Sequence, residues 1–161
     1  MNIRHATIKD LDAITAVEAE CFPAAEAATY ESIKGRLEVF ADHFWLLEDG
    51  DTMVGFVNGM ATDLPDLCDE MYEDAHMHDP KGAWQMIFGV DTIPAYRRRG
   101  CAEMVLNRVI EDTRKAGRKG LVLTCKDRLV HYYAKFGFVS EGVSGPPSLA
   151  FCQSRVSLER I

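Results

Sequence analysis

The chain has 161 residues, of which 18 are Lys or Arg and 25 are Asp or Glu, for a formal net charge of −7. That length suits a single domain, and 47% apolar with 27% charged residues is a globular balance that excludes a disordered chain. An acidic chain lacks the basic face that nucleic acid needs, and no run approaches the roughly 18 apolar residues of a membrane span.

Residues 2–8 read as a first strand. Thr7-Ile8-Lys9-Asp10 has the spacing of a capping box, and Leu11, Ile14, Val17 and Cys21 follow at helical period, so a helix is predicted to about residue 21, stopped by Pro23. A second helix is predicted from Thr29, with Ile33, Leu37 and Phe40 on one face. His43–Leu47 and Thr52–Ala61 flank the turn residues Glu48-Asp49-Gly50-Asp51 and read as a hairpin. Gly55 and Gly59 fall on one face of its second strand and leave room for a close neighbour. Residues 62–82 form a long acidic connection, of the kind that is often functional. It would either attract a cationic amine or act as a solvated lid. Trp84–Thr92 is a nearly continuous apolar run, as for a central strand. A helix is predicted over 100–116, a buried strand over 120–125, and a helix from Asp127 to Phe136 that Gly137 ends. A short strand at 138–141, a loop at 142–148 containing Pro146-Pro147, and a last strand at 149–158 complete the order. The 84–125 unit is a parallel crossover.

Cys21, Cys68, Cys101, Cys125 and Cys152 are odd in number, widely spaced and without a CxxC pair, so neither a zinc ribbon nor a dithiol redox pair is expected. The polar start Met1–His5 does not read as a signal peptide, and free thiols in a reducing cytoplasm are the expectation. His76-x-His78-Asp79 lies in a predicted loop, where histidines two apart do not converge on one ion, so no metal is expected.

The strongest chemical signal is Tyr96-Arg97-Arg98-Arg99-Gly100-Cys101-Ala102, at a strand-to-helix junction. A helix N-terminus presents unpaired N–H groups and partial positive charge, which suit a phosphate. Gly100 lets a phosphate approach the backbone, Ala102 keeps the first turn uncrowded, and the arginines add charge. The segment has neither the Gly-Lys-Ser/Thr ending of a Walker A loop nor a GxGxxG turn. On these residues alone it is either a phosphate cradle or an arginine-rich surface turn.

Arg97-x-x-Gly100-x-Ala102, after an apolar strand and opening a helix, resembles the R/Q-x-x-G-x-G/A signature of the GNAT N-acetyltransferase superfamily. The element order is similar to that fold over nearly the whole chain. The resemblance implies an α/β (α+β) architecture in one domain over 1–161, with a mixed central sheet of about six or seven strands flanked by about four helices. Leu129-Val130-His131-Tyr132-Tyr133-Ala134-Lys135-Phe136-Gly137-Phe138 is similar to a segment of the arylalkylamine (serotonin) N-acetyltransferases, as are Glu20-Cys21-Phe22 and His78-Asp79-Pro80-Lys81-Gly82.

The resemblance implies acetyl-CoA as cosubstrate and a small primary amine as acceptor, with a homodimer possible in that family. The backbone of Val90, Asp91 and Thr92 would pair with the pantetheine arm, and Val90 N–H would face the thioester oxygen. Arg98, Arg99, Gly100, Cys101, Ala102 and Glu103 would cradle the diphosphate. Tyr133 would meet the CoA sulfur, although by its spacing alone it reads as a packed aromatic. Phe22 and Pro23 would either line the acceptor pocket or pack in the core. The chemistry suits such roles: an amine of pKa near about 10 must shed a proton, the oxyanion needs an N–H donor, and the leaving thiolate needs a proton. Met86 and Phe88 occupy the two positions where the arylalkylamine enzymes carry histidines, which leaves the base open between another carboxylate, His131 and a water chain. A protein or peptide acceptor and a non-catalytic acyl-CoA sensor are the alternatives to a small-amine acetyltransferase.

Overall fold

Strand β1 (Asn2–His5) lies antiparallel to β2 (Phe44–Asp49), which forms the expected hairpin with β3 (Thr52–Asn58). These elements belong to a computed structural model that describes residues 1–144 and 151–158. The Thr7 capping box forms, with Thr7 N–H donating to Asp10 Oδ2 at 2.8 Å. It caps a 3-10 turn over Ile8–Asp10 that runs on into helix α1 (Leu11–Cys21). Helix α2 (Tyr30–Phe40) starts at Thr29, whose hydroxyl accepts from Ser32 N–H. Both helices bury an apolar stripe, and each stripe carries one charged residue that the period did not expose: Glu18 on α1 and Arg36 on α2.

The predicted 62–82 connection opens with a two-residue strand, β4 (Ala61–Thr62), and contains the short helix α3 (Asp69–Glu73). The predicted 84–92 strand is broken in two. Its first half, β5 (Trp84–Ile87), pairs in parallel with β7 (Gly120–Lys126); its second half, β6 (Gly89–Thr92), pairs among the described residues only with β3. Helix α4 (Cys101–Lys115) makes the crossover between them. Helix α5 (Val130–Ala134) is shorter than predicted, because Asp127–Leu129 forms a 3-10 turn without a side-chain cap. Strand β8 (Val139–Ser144) runs past the predicted 141 and pairs with β9 (Phe151–Ser157). Pro146-Pro147 and the predicted strand start at Leu149 lie outside the described residues.

The strands form two sheets, in the orders β1-β2-β3-β6 and β4-β5-β7-β9-β8. They share the polypeptide at Phe88 and splay from there: past Leu123, β7 has no strand partner on its β6 side among the described residues. One buried cluster (Ile14, Phe40, Phe44, Met60, Met86) joins α1 and α2 to the sheets, and a second (Leu47, Ile87, Leu106, Leu121, Leu123) joins α4 and α5 to the opposite face. The room left at Gly55 and Gly59 is filled by that shared strand: a Cβ would fall 2.1 Å from Asp91 O and 1.8 Å from Met86 O, respectively. Side chains there would push the splayed strand away from β3. This is the mixed α/β architecture that the resemblance implies, with nine strands and five α-helices among the described residues.

Candidate active site

The splay leaves one edge of β6 without a strand partner among the described residues. Ile93 N–H donates to Val54 O at 2.9 Å, in register with the β3–β6 ladder. Antiparallel pairing alternates, so Asp91 also turns its N–H toward β3. Val90 and Thr92 turn theirs toward the open edge.

After Thr92 the chain makes a 3-10 turn at Pro94–Tyr96 and enters α4 through a loop with two left-handed residues, Arg98 (φ 62°) and Gly100 (φ 76°). Left-handed residues in such a loop turn successive N–H groups toward one concavity. Arg98 holds this conformation at the cost of side-chain strain, of order 1 kcal/mol. Gly100 is the N-cap of α4 and has no side chain to cap it, and the first intrahelical bond is Met104 N–H to Gly100 O. The N–H groups of Cys101, Ala102 and Glu103 are therefore left for something else.

Arg97 is tied back, with Nε donating to Thr92 O at 3.0 Å. Arg99 lies over the Tyr96 ring at 4.5 Å, and the Tyr96 hydroxyl donates to Asp49 Oδ2 at 2.9 Å. Glu103 is held by Lys135, whose ammonium also sits 4.3 Å from the Tyr132 ring centre.

A cleft of about 380 Å³ runs along these groups. Of the residues singled out in the sequence, Phe22, Val90, Thr92, Arg98, Gly100, Cys101, Ala102, Glu103 and Tyr133 all line it. Asp91, Arg99 and Pro23 do not: Asp91 turns to the other face of β6, Arg99 stacks on Tyr96, and Pro23 is exposed. Cys21, Tyr96, Arg97, Leu129 and Tyr132 also line the cleft. Tyr132 meets Tyr133 edge to face at 5.1 Å, which fixes the tilt of the Tyr133 ring.

Tyr133 is buried, and burial is the main cause that pushes its phenol well above the usual tyrosine range; Tyr132, Cys125 and Asp91 add to it. The group stays a neutral O–H donor at any physiological pH. Burial also pushes the Cys21 thiol up to about 11, with Asp91 adding and Arg97 opposing, so it is not a nucleophile at neutral pH.

The other face of β6 holds a buried polar cluster. Asp91, Glu18 and Arg36 are 3%, 8% and 6% exposed. Arg36 Nη1 donates to Asn58 Oδ1 at 3.1 Å, and Nη2 to Tyr72 O at 3.2 Å. Its guanidinium lies 4.8 Å from the centre of the Phe88 ring. Sequence reading missed this cluster, although the signal was present: Glu18 and Arg36 fall in phase with the apolar stripes of their helices, and Asp91 interrupts an apolar run.

His76 and His78 do not converge. His76 is exposed, whereas His78 packs on Phe40 and His43, and no three His, Cys, Asp or Glu side chains among the described residues come together as a metal cage.

Residues 11–138 match the model of the acetyltransferase (GNAT) family. The chain belongs to that family. No curated protein matches it in sequence. Among solved structures it is similar to the GphF GNAT-like decarboxylase in complex with isobutyryl-CoA, with 25% identity, a TM-score of 0.85, and 99% of this chain and 100% of that one covered. The ribosomal-protein-S18-alanine N-acetyltransferase from Escherichia coli shares the fold at 14% identity (TM-score 0.73; 99% and 95% covered). So does the paiA N-acetyltransferase from Thermoplasma acidophilum in complex with coenzyme A, also at 14% (TM-score 0.73; 97% and 98% covered).

Proposed function

We propose that this GNAT-family chain moves an acetyl group from acetyl-CoA to the nitrogen of a small, aralkylamine-like primary amine by direct attack. The observation that carries the reading is the convergence, in one cleft, of a free strand edge, an uncapped helix N-terminus and a buried tyrosine. The N–H groups at Arg98–Glu103 suit the diphosphate of CoA, and the arginines add charge. The open edge at Val90 and Thr92 suits the amides of the pantetheine arm, as an added strand would. Val90 N–H then faces the carbonyl oxygen of the thioester and stabilises the charge that develops there when the amine attacks. Tyr133 stands where the departing thiolate needs a proton, and its raised phenol keeps that proton until the C–S bond breaks. The similarity of Leu129–Phe138 to the arylalkylamine enzymes and the position of Phe22 on the cleft wall support an aromatic acceptor.

The 25% identity to a GNAT-like decarboxylase over almost the whole of both chains favours a second reading, in which the same cleft removes CO2 from a carboxylated acyl-CoA. One experiment separates the two. The protein is given acetyl-CoA with phenylethylamine, tryptamine, spermidine, amino acids and a lysine peptide, and separately malonyl-CoA alone, with products read by mass spectrometry. Acetylated phenylethylamine or tryptamine supports the proposal. Transfer only to spermidine or to the peptide keeps the reaction and overturns the acceptor. Acetyl-CoA formed from malonyl-CoA, with no acetylated amine, favours decarboxylation.

A further inference from the structure

We infer that Lys135 is a positioning residue for the phosphate end of the cleft: its ammonium holds the Glu103 carboxylate off the N–H groups that open α4, which leaves them for the diphosphate of CoA. This rests on the part of the reading above that puts the diphosphate at the α4 N-terminus. Among the described residues that line the cleft, Glu103 is the only carboxylate. It stands third in α4, after the N-cap Gly100, Cys101 and Ala102. A Glu at that position ordinarily reaches back to the backbone N–H of the cap residue, as in a capping box. Such a bond suits the helix and opposes the ligand, because the carboxylate takes the place that a phosphate would take.

Glu103 does not reach back here. Among the described residues its hydrogen-bond partner is Lys135 Nζ, which donates to Oε1. Lys135 is the C-cap of α5, whose residues Tyr132 and Tyr133 line the same cleft as Gly100–Glu103. The chain turns away directly after it, through the left-handed Gly137 (φ 98°), with Phe136 N–H donating to Tyr133 O and Gly137 N–H to Ala134 O, both at 3.0 Å. The ammonium lies over the Tyr132 ring at 4.3 Å and near the Phe136 ring at 5.4 Å. Two aromatic faces and one carboxylate give the cation a defined seat. The arginines of the loop do not answer Glu103: Arg97 donates to Thr92 O, and Arg99 lies over Tyr96. The cation comes instead from the other helix of the cleft.

Both side chains of the pair are 46% exposed, so the pair itself adds little to stability. Its consequence is geometric. With Lys135 in place the carboxylate is drawn toward α5, and the N–H groups of the first turn stay unpaired. Without Lys135 the carboxylate returns to the Gly100 N–H, and an incoming phosphate must displace it. The two residues are therefore conditional on one another: once Glu103 is gone, Lys135 has nothing to hold.

Lys135→Met keeps an apolar stem against Tyr132 and removes the charge. The dissociation constant of CoA, measured by calorimetry at fixed ionic strength, should rise about fivefold, the usual worth of a side-chain bond to a helix N-terminus, while the melting temperature holds. Lys135→Arg, which keeps the charge, should stay within about twofold of native. In a Glu103→Ala background, Lys135→Met should change the constant by less than about twofold. An unchanged constant in Lys135→Met alone overturns the inference and leaves the CoA site standing. An equal rise in the Glu103→Ala background also overturns it, because a direct contact with phosphate or a packing role would give that result. Native protein that binds no CoA overturns the underlying reading instead.

Discussion

Two buried polar clusters lie along the same broken strand, and they are built differently. At β5, Gln85 is saturated: its amide nitrogen lies within hydrogen-bond reach of Gly59 O, Met60 O and Met86 O, and its oxygen meets His43 Nδ1 at 2.8 Å. His78, in contact with His43, accepts from Ala61 N–H at 3.0 Å. At β6, Arg36 Nε and both oxygens of Asp91 have no hydrogen-bond partner among the described residues. The first cluster holds the strands together where they are joined. The second sits where they have come apart, and its valences are left unmet. Burial alone does not mark a site; burial with partners missing is where one is sought, and Arg118 Nε and Ser154 Oγ share that condition singly rather than in a cluster.

The largest effect should come from Arg36→Met. It leaves the two carboxyls without their main counter-charge and strands Asn58 Oδ1 and Tyr72 O, at a cost of about 3–5 kcal/mol near neutral pH. Adding Asp91→Asn should recover a substantial part of that loss, as a double-mutant cycle in denaturant would show. Simple additivity would break the view of one electrostatic unit.

Gln85→Leu tests the other side. It removes the side-chain partner of Gly59 O, Met86 O and His43, while Met60 O keeps Met86 N–H, for about 3 kcal/mol at about 1 kcal/mol per stranded group. The melting temperature should drop by about 10 °C. Affinity for CoA, measured well below the transition, should not change. A loss of CoA binding would show that the join and the splay are not separable.

The smallest effect is in the acid range. Burial, and then His43, push His78 down to about 4. The native state therefore holds His78 neutral where the unfolded chain, with an ordinary value of 6.5, takes up a proton. The stability it contributes is complete above pH 6.5 and is lost as pH falls through about 4. His78→Asn, which keeps an acceptor for Ala61 N–H, should flatten the fall of melting temperature over that window. An unchanged slope would assign the acid sensitivity to other groups.

Much of this was legible in the sequence. The hairpin at β2–β3, the α4 crossover and the Arg97–Ala102 turn follow from period, turn residues and glycine placement, which are local. The break at Phe88 was not legible, because Trp84–Thr92 reads as one uniform apolar run and only pairing with two different strands divides it. Asp91 was assigned with Val90 and Thr92 to the cofactor edge, although antiparallel pairing turns only every second backbone N–H to one edge. A one-residue slip reverses which face every later side chain takes, and the slip lies in a backbone bond between Phe88 and Asn58. Placing Glu18 and Asp91 in one buried cluster needed tertiary contact, although each was already visible as a charge at an apolar position.

In the proposed reaction the cleft at the splay is a transfer site in which Tyr133 serves the leaving thiolate. Tyr133→Phe tests it most directly, because it removes one oxygen from a buried ring and leaves the packing intact. kcat should fall by about 10²-fold or more, with the dissociation constant of CoA within about twofold of native. An unchanged kcat would contradict the role of the hydroxyl, and loss of CoA affinity with kcat preserved would make Tyr133 part of the binding surface alone.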